Sequence, residues 1–146
     1  MDKRKTIEFP VLTLTPQRFR AYGRMIHYPN KGKKSPRHNL FRIVLAESGK
    51  HGWRIAYLIV RDKKIFRLEQ HPRSFESFEP VRGRGLLFVS RSQDLHAIRC
   101  FYLDQPVIVH KGIWHGVRTL GREMEIKLTE NSLVKCVYWQ LPHVLK

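Results

Sequence analysis

The chain has 146 residues, 42% hydrophobic and 11% aromatic, which fits one domain with one sizeable core and excludes a chain disordered throughout. No apolar run approaches the roughly 20 residues of a spanning helix, and the basic start MDKRKTIEFP leads into no apolar h-region, so neither a membrane segment nor a secretory signal is expected. The net charge of +16 is concentrated early, with 18 basic against 5 acidic residues over 1–73; such a field suits a nucleic-acid partner or small anionic substrates equally.

In chain order, VLTLT (11–15) reads as a strand running into a short helix. Thr15 can cap it, Pro16 suits the first helical position and Gly23 can end it. Phe19 and Tyr22 then share a face, joined by Ile26 if the helix runs on past Gly23. HYPNKGKKSPRHN (27–39) has no hydrophobic periodicity and many turn formers, and reads as a loop. Its basic run lacks interleaved aromatics, and no helix-turn-helix, zinc-finger or RNA-recognition pattern is visible, so nucleic-acid binding is the weaker use of the charge.

From residue 40 the chain is strand-rich. LFRIVLAES, WRIAYLIVR, KIFRLEQH, GLLFVS, AIRCFYL, VIVHKGIWHGV, EMEIKL and LVKCVYWQL follow one another at about ten-residue pitch with short polar or Gly/Pro breaks. No helical pattern intervenes, which argues against a parallel βαβ sheet and for an antiparallel sandwich or small barrel, jelly rolls included. Both faces of VKCVYW (134–139) are apolar, as in a strand covered on two sides, and the tail LPHVLK reads as a loose end or partner contact. With no repeat and no linker, residues 1–146 form one domain. Cys100 and Cys136, each inside an apolar run, read as reduced core residues of a cytoplasmic protein.

LEQHPRSFESFEPVRG (68–83) stands out. In a strand, residues two apart share a face, so Glu69 and His71 project together. Pro72 marks a bulge or strand end, and Glu76 and Phe78 share a face after it. In VIVHKGIWHGV, Gly112 lets the chain bend between His110 and His115, with Trp114 as an apolar wall. By itself the first segment is a metal cup, an acid/base site or a solvated ribbon. A barrel that sets both segments side by side would gather Glu69, His71, Glu76 and His115 into one pocket, where buried carboxylates need a cation or a basic partner.

These residues carry a resemblance. Glu69-x-His71, four residues, Glu76, six residues, Gly83 is similar to the first cupin metal motif, with Glu69 in place of the first histidine. His110-Lys111-Gly112-Ile113-Trp114-His115 is similar to the second, with His110 in place of proline. More narrowly, the chain resembles the ureidoglycolate lyase family of cupins over about residues 11–117. The likeness rests on LTPQRFRAYGRMI, on RHNL (37–40), on Glu69, His71, Pro72, Phe78 and Pro80, and on His110, Trp114 and His115, with Lys111 replacing arginine. It departs from the family at Glu76, Val109 and Gly116, and fades towards the end.

The resemblance implies a cupin-type double-stranded β-helix, a jelly-roll barrel with a short N-terminal helix, forming a homodimer. It implies a lyase splitting ureidoglycolate into glyoxylate and urea. Metal would be held by Glu69, His71, Glu76 and His115, where mixed N and O ligands suit Mn, Fe, Ni or Zn. Glu69 or His110 would move protons, Arg61 or Lys111 would neutralise the substrate carboxylate, His38 and Asn39 would close over the ligand, and Trp114 would wall the pocket. The alternatives are another cupin acting on or binding a small hydroxy or keto acid, and a basic nucleic-acid-associated protein.

Overall fold

The computed structural model describes residues 3–30 and 40–146. These residues form short strands β1 (Thr6–Ile7), β2 (Val11–Leu12) and β3 (Gly23–Met25), a one-turn helix α1 (Pro16–Phe19), and then β4 (Trp53–Val60), β5 (Ile65–Gln70), β6 (Glu76–Arg82), β7 (Gly85–Ser90), β8 (Arg99–Tyr102), β9 (Val107–Val109), β10 (Trp114–Thr119), β11 (Met124–Asn131) and β12 (Val137–Leu145). Two sheets result. One has the order β1-β12-β5-β10-β7-β8-β2 and the other β3-β9-β6-β11-β4.

Within them, β4 to β11 alternate between sheets except at the β7–β8 pair, ordered β5-β10-β7-β8 and β4-β11-β6-β9. Every pairing among these eight is antiparallel. This is the double-sheet jelly roll, an architecture that cupins share with capsid and lectin domains. The all-β barrel with a short N-terminal helix expected from the sequence is the observed fold.

Local chemistry explains the elements. Thr15 caps α1 by accepting from Arg18 N–H, with Pro16 at its first turn. The helix stops at Phe19, earlier than expected, because Gly23 already begins β3 and Ile26 lies beyond that strand. On β11, Met124, Ile126, Leu128 and Glu130 are buried while the residues between them are half-buried, the period of a strand with one face on the core. Gly83 (φ 82) turns β6 into β7, a backbone region that disfavours any side chain.

The core has two parts. Between the sheets lie Phe78, Leu87, Val89, Phe101, Met124 and Ile126. On the opposite face of the seven-stranded sheet lie Leu68, Leu86, Phe88, Cys100, Trp114 and Leu141. β7 is therefore buried on both faces. Each such side chain contributes roughly 1.5–3 kcal/mol of burial.

Four expectations are corrected. Residues 40–48 form no strand and leave Phe41 86% exposed, so their apolar pattern has no facing layer. The tail 141–145 is not loose but continues β12, which pairs antiparallel with β5 and parallel with β1. β12 is covered on one side only, with Tyr138 and Gln140 facing out. Both cysteines are free as expected, but Cys136 is exposed and only Cys100 is core. Among the described residues, no helix is long and apolar enough to cross a membrane.

Candidate metal centre

The crossing from β5 to β6 builds the site. β5 carries Glu69, and His71 follows its last residue; Pro72 ends the ladder, and the chain passes to the other sheet, where Glu76 opens β6. One short segment thus places side chains on facing sheets. His115, the second residue of β10, lies directly opposite Glu69 on β5. The turn before it, with Gly112 at φ 76, is fastened where Gly112 N–H donates to the His71 carbonyl at 3.0 Å.

These side chains converge. Glu76 Oε2 is 2.9 Å from His71 Nε2 and 3.0 Å from His115 Nε2, and all three side chains are 3–6% exposed. The imidazole rings stand 5.1 Å apart. Glu69 Oε1 is 3.7 Å from His115 Nε2 with its side chain 36% exposed, so it reaches from solvent to the cluster. One ligand atom from each of Glu69, His71 and His115 lies within 4.8 Å of the other two, and the same holds for His71, Glu76 and Glu130.

The tautomers are fixed from behind. His71 Nδ1 is 3.2 Å from the Lys135 carbonyl and His115 Nδ1 is 2.9 Å from the Ile113 carbonyl. A carbonyl only accepts, so each Nδ1 donates, and each neutral imidazole turns an unprotonated Nε2 inward, the arrangement typical of metal-bound histidine. Three lone-pair-bearing atoms then face one another at about van der Waals distance or less. Glu76 Oε2, His115 Nε2 and Glu130 Oε2 are buried with no hydrogen-bond partner among the described residues. Buried polar atoms are rarely left so, and a cation held beside His71 by either group would be such a partner. The residues fit a divalent metal.

Without an ion, a proton on His71 is the alternative partner for Glu76. Burial would raise the Glu76 carboxyl, but its contacts with His115 and His71 prevail and hold it at about 2. Burial is the largest single influence on His71 and opposes its protonation, but the bond to Glu76, the charges of Glu76 and Glu69 and the Lys135 carbonyl together outweigh it, so that imidazole is shifted up. Burial raises the Glu130 carboxyl, against the Arg54 bond that lowers it, and the charge of Glu76 adds to the rise.

Glu130 and Arg54 were not among the residues expected from the sequence. Glu130 lies opposite Glu76 on β6 and opposite Arg54 on β4. Arg54 Nη2 and Nε donate to its Oε1 at 2.6 and 3.0 Å. Ser77 Oγ accepts from Thr129 N–H and Ser74 Oγ from Asn131 N–H, fixing the backbone on either side of Glu130.

Of the remaining expected residues, Arg61 alone borders the cluster's cavity among the described residues. Arg61 lies on the rim of a cavity of about 260 Å³ bounded also by Glu69, Glu76, Phe78 and His115, and it pairs with Glu123 at 2.9 Å. A neighbouring hollow of about 420 Å³, lined by Lys64, Arg67 and Tyr138, reaches Glu69 and His115 from the other side. His110 is apart from the cluster, its ring edge-on to Phe75, and burial lowers its pKa. Lys111 pairs with Glu47 at 3.0 Å. Trp114 turns its indole away from His115 and onto Trp139. His38 and Asn39 lie outside the described residues. A further hollow of about 530 Å³ along Arg82, Arg84, Tyr102 and Asp104 shares no residue with the cluster.

No protein-family model matches the chain, and no curated protein matches it. Among solved structures, it is similar to the capsular polysaccharide assembling protein CapF from Staphylococcus aureus, at 19% identity over 58% of this chain and 25% of that one, with a TM-score of 0.49. It is similar to BH2720 from Bacillus halodurans, at 24% identity over 62% of this chain and 66% of that one, with a TM-score of 0.47. A mutant of Bacillus subtilis oxalate decarboxylase gives 19% identity over 62% and 24%, with a TM-score of 0.47. The chain thus spans less than two thirds of each of these proteins. The jelly-roll assignment rests on the strand order itself, and fold and cluster together define an all-β barrel with a His/Glu set able to hold a metal.

Proposed function

We propose that the protein is a metal-dependent enzyme acting on a small hydroxy or keto acid, with ureidoglycolate, the substrate its sequence resemblance implies, as the first candidate. One observation carries this reading: the Nε2 atoms of His71 and His115 both turn to the buried Oε2 of Glu76, at 2.9 and 3.0 Å. His71, His115 and Glu76 would hold the ion, which when bound supplies Lewis-acid polarisation of substrate oxygens.

The chain's own groups do the rest. Arg61, at the cavity rim with a side chain 72% exposed, can leave Glu123 and grip a carboxylate with two parallel hydrogen bonds. Glu69 borders both cavities and reaches solvent, which suits a general base. Its carboxylate takes the proton of the substrate hydroxyl; the electrons form the new carbonyl as the carbon–nitrogen bond breaks, and Glu69 returns the proton to the leaving urea nitrogen. General acid/base help of this kind contributes about 10²–10⁴ in rate. The apolar walls Phe78 and Leu128 limit water beside the reacting carbon.

The test is metal analysis of the purified full chain with a urea-release assay on ureidoglycolate. Expected are a bound divalent ion, urea release abolished by chelation, and a loss of orders of magnitude in a folded His71→Ala variant. A metal-loaded, folded protein that releases no urea removes ureidoglycolate and leaves the other hydroxy and keto acids. A protein that takes up no ion removes the whole reading.

A further inference from the structure

We infer that Glu130, aimed by Arg54, is a further oxygen donor to the cation site and tunes it towards a hard divalent ion such as Mn²⁺ over Zn²⁺. This rests on the metal reading above and goes beyond it.

Glu130 is 5% exposed, Arg54 occupies only its Oε1, and its Oε2 has no hydrogen-bond partner among the described residues, facing His71 Nε2 at 3.8 Å. A guanidinium that merely neutralised a buried acid could take both oxygens in a fork. Here both donated bonds fall on one oxygen and leave the other turned to the cluster. Glu130 also lies directly opposite Glu76 across β6 and β11. Like charges so placed are destabilising, unless a cation lies between them.

Charge and donor count point the same way. Three carboxylates, Glu69, Glu76 and Glu130, against the one guanidinium of Arg54 leave a formal charge of −2, which a divalent ion cancels. With Glu130 added, the set is two imidazole nitrogens and two carboxylate oxygens, from His71, His115, Glu76 and Glu130. Four protein donors exceed the three usual for catalytic zinc, and oxygen-rich sets favour harder ions such as Mn²⁺. Arg54 is a positioning residue: its side chain is half exposed and acts through Glu130.

The test is equilibrium dialysis of Mn²⁺ and of Zn²⁺ against the chelator-stripped full chain, wild type beside Glu130→Gln, Arg54→Met and Glu76→Gln. The expected result is a fall of about 10- to 100-fold in Mn²⁺ affinity for Glu130→Gln, a smaller fall for Zn²⁺, and an intermediate fall for Arg54→Met, which keeps the carboxylate but not its aim. Thermal unfolding without metal identifies a variant that has lost its fold; Arg54→Met, altered at a half-exposed position, then carries the comparison. Unchanged Mn²⁺ affinity in Glu130→Gln with binding abolished in Glu76→Gln overturns the role of Glu130 and leaves the metal reading intact. Equal losses for both ions overturn the selectivity. A wild type that binds neither ion overturns both readings.

Discussion

Replacing Glu76 by glutamine in the metal-stripped protein measures what its carboxylate does for the fold. The amide keeps the shape, so no cavity opens, but it carries no charge to attract the two imidazoles 2.9 and 3.0 Å away. The carboxyl is held at about 2 against an ordinary 4.5, and at about 1.4 kcal/mol per pH unit this corresponds to roughly 3 kcal/mol. A folded-state value below the unfolded one gives stability that is fully present above 4.5 and is lost as the pH falls towards 2. The protons of Glu76 and its histidines are shared, so the figure belongs to the cluster. Urea unfolding in chelator, repeated across that pH window, is expected to show the wild type losing about 3 kcal/mol more than Glu76→Gln. Parallel curves for the two proteins would refute the reasoning, because the carboxyl would then titrate alike folded and unfolded.

Three further outcomes are expected. In the native protein a thiol reagent modifies exposed Cys136 and spares Cys100 until the chain unfolds. Burial pushes the Cys100 thiol from 9.0 up to about 12, so its stabilising share holds below 9.0 and is lost as the pH rises towards 12; a Cys100→Ala variant has an alkaline stability slope shallower by up to about 1.4 kcal/mol per pH unit. At Gly83 (φ +82) an added Cβ meets the Glu123 carbonyl oxygen at 2.5 Å, whereas nothing lies within 4 Å of one at Gly121. Gly83→Ala is therefore expected to cost about 1–3 kcal/mol in a denaturant melt, with Gly121→Ala close to neutral as the control.

How much of this was legible in the sequence differs by residue. The Glu69 and His71 pair follows from strand alternation alone, and the motif spacing pointed to Glu76 and His115, because those positions depend on local period. Glu130 was missed because EMEIKL was ended two residues too soon. Carried on, the same alternation sets Glu130 beside Met124, Ile126 and Leu128, an acid on a core face, which is a signal in itself. Arg54 was lost among many basic residues, since only the β4–β11 register gives it a partner. In the tail, Pro142 by itself argues against a strand. In the fold the β5–β12 register shifts between Gln140 and Leu145, which lets the proline sit where no ladder bond is needed. Trp114 was given to the pocket, yet strict alternation already put it on the face opposite His115.

That opposition gives the protein an optical gauge of its own. The indole of Trp114 belongs to the residue next to His115, in a dry layer against Trp139 with ring centroids 5.9 Å apart. A paramagnetic ion held by His115 would sit beside the residue that bears this indole and is expected to quench the buried pair, while Trp53, 70% exposed on the edge strand, emits at longer wavelength as an internal standard. Binding would then be read as a change in the blue side of the emission band, without any label.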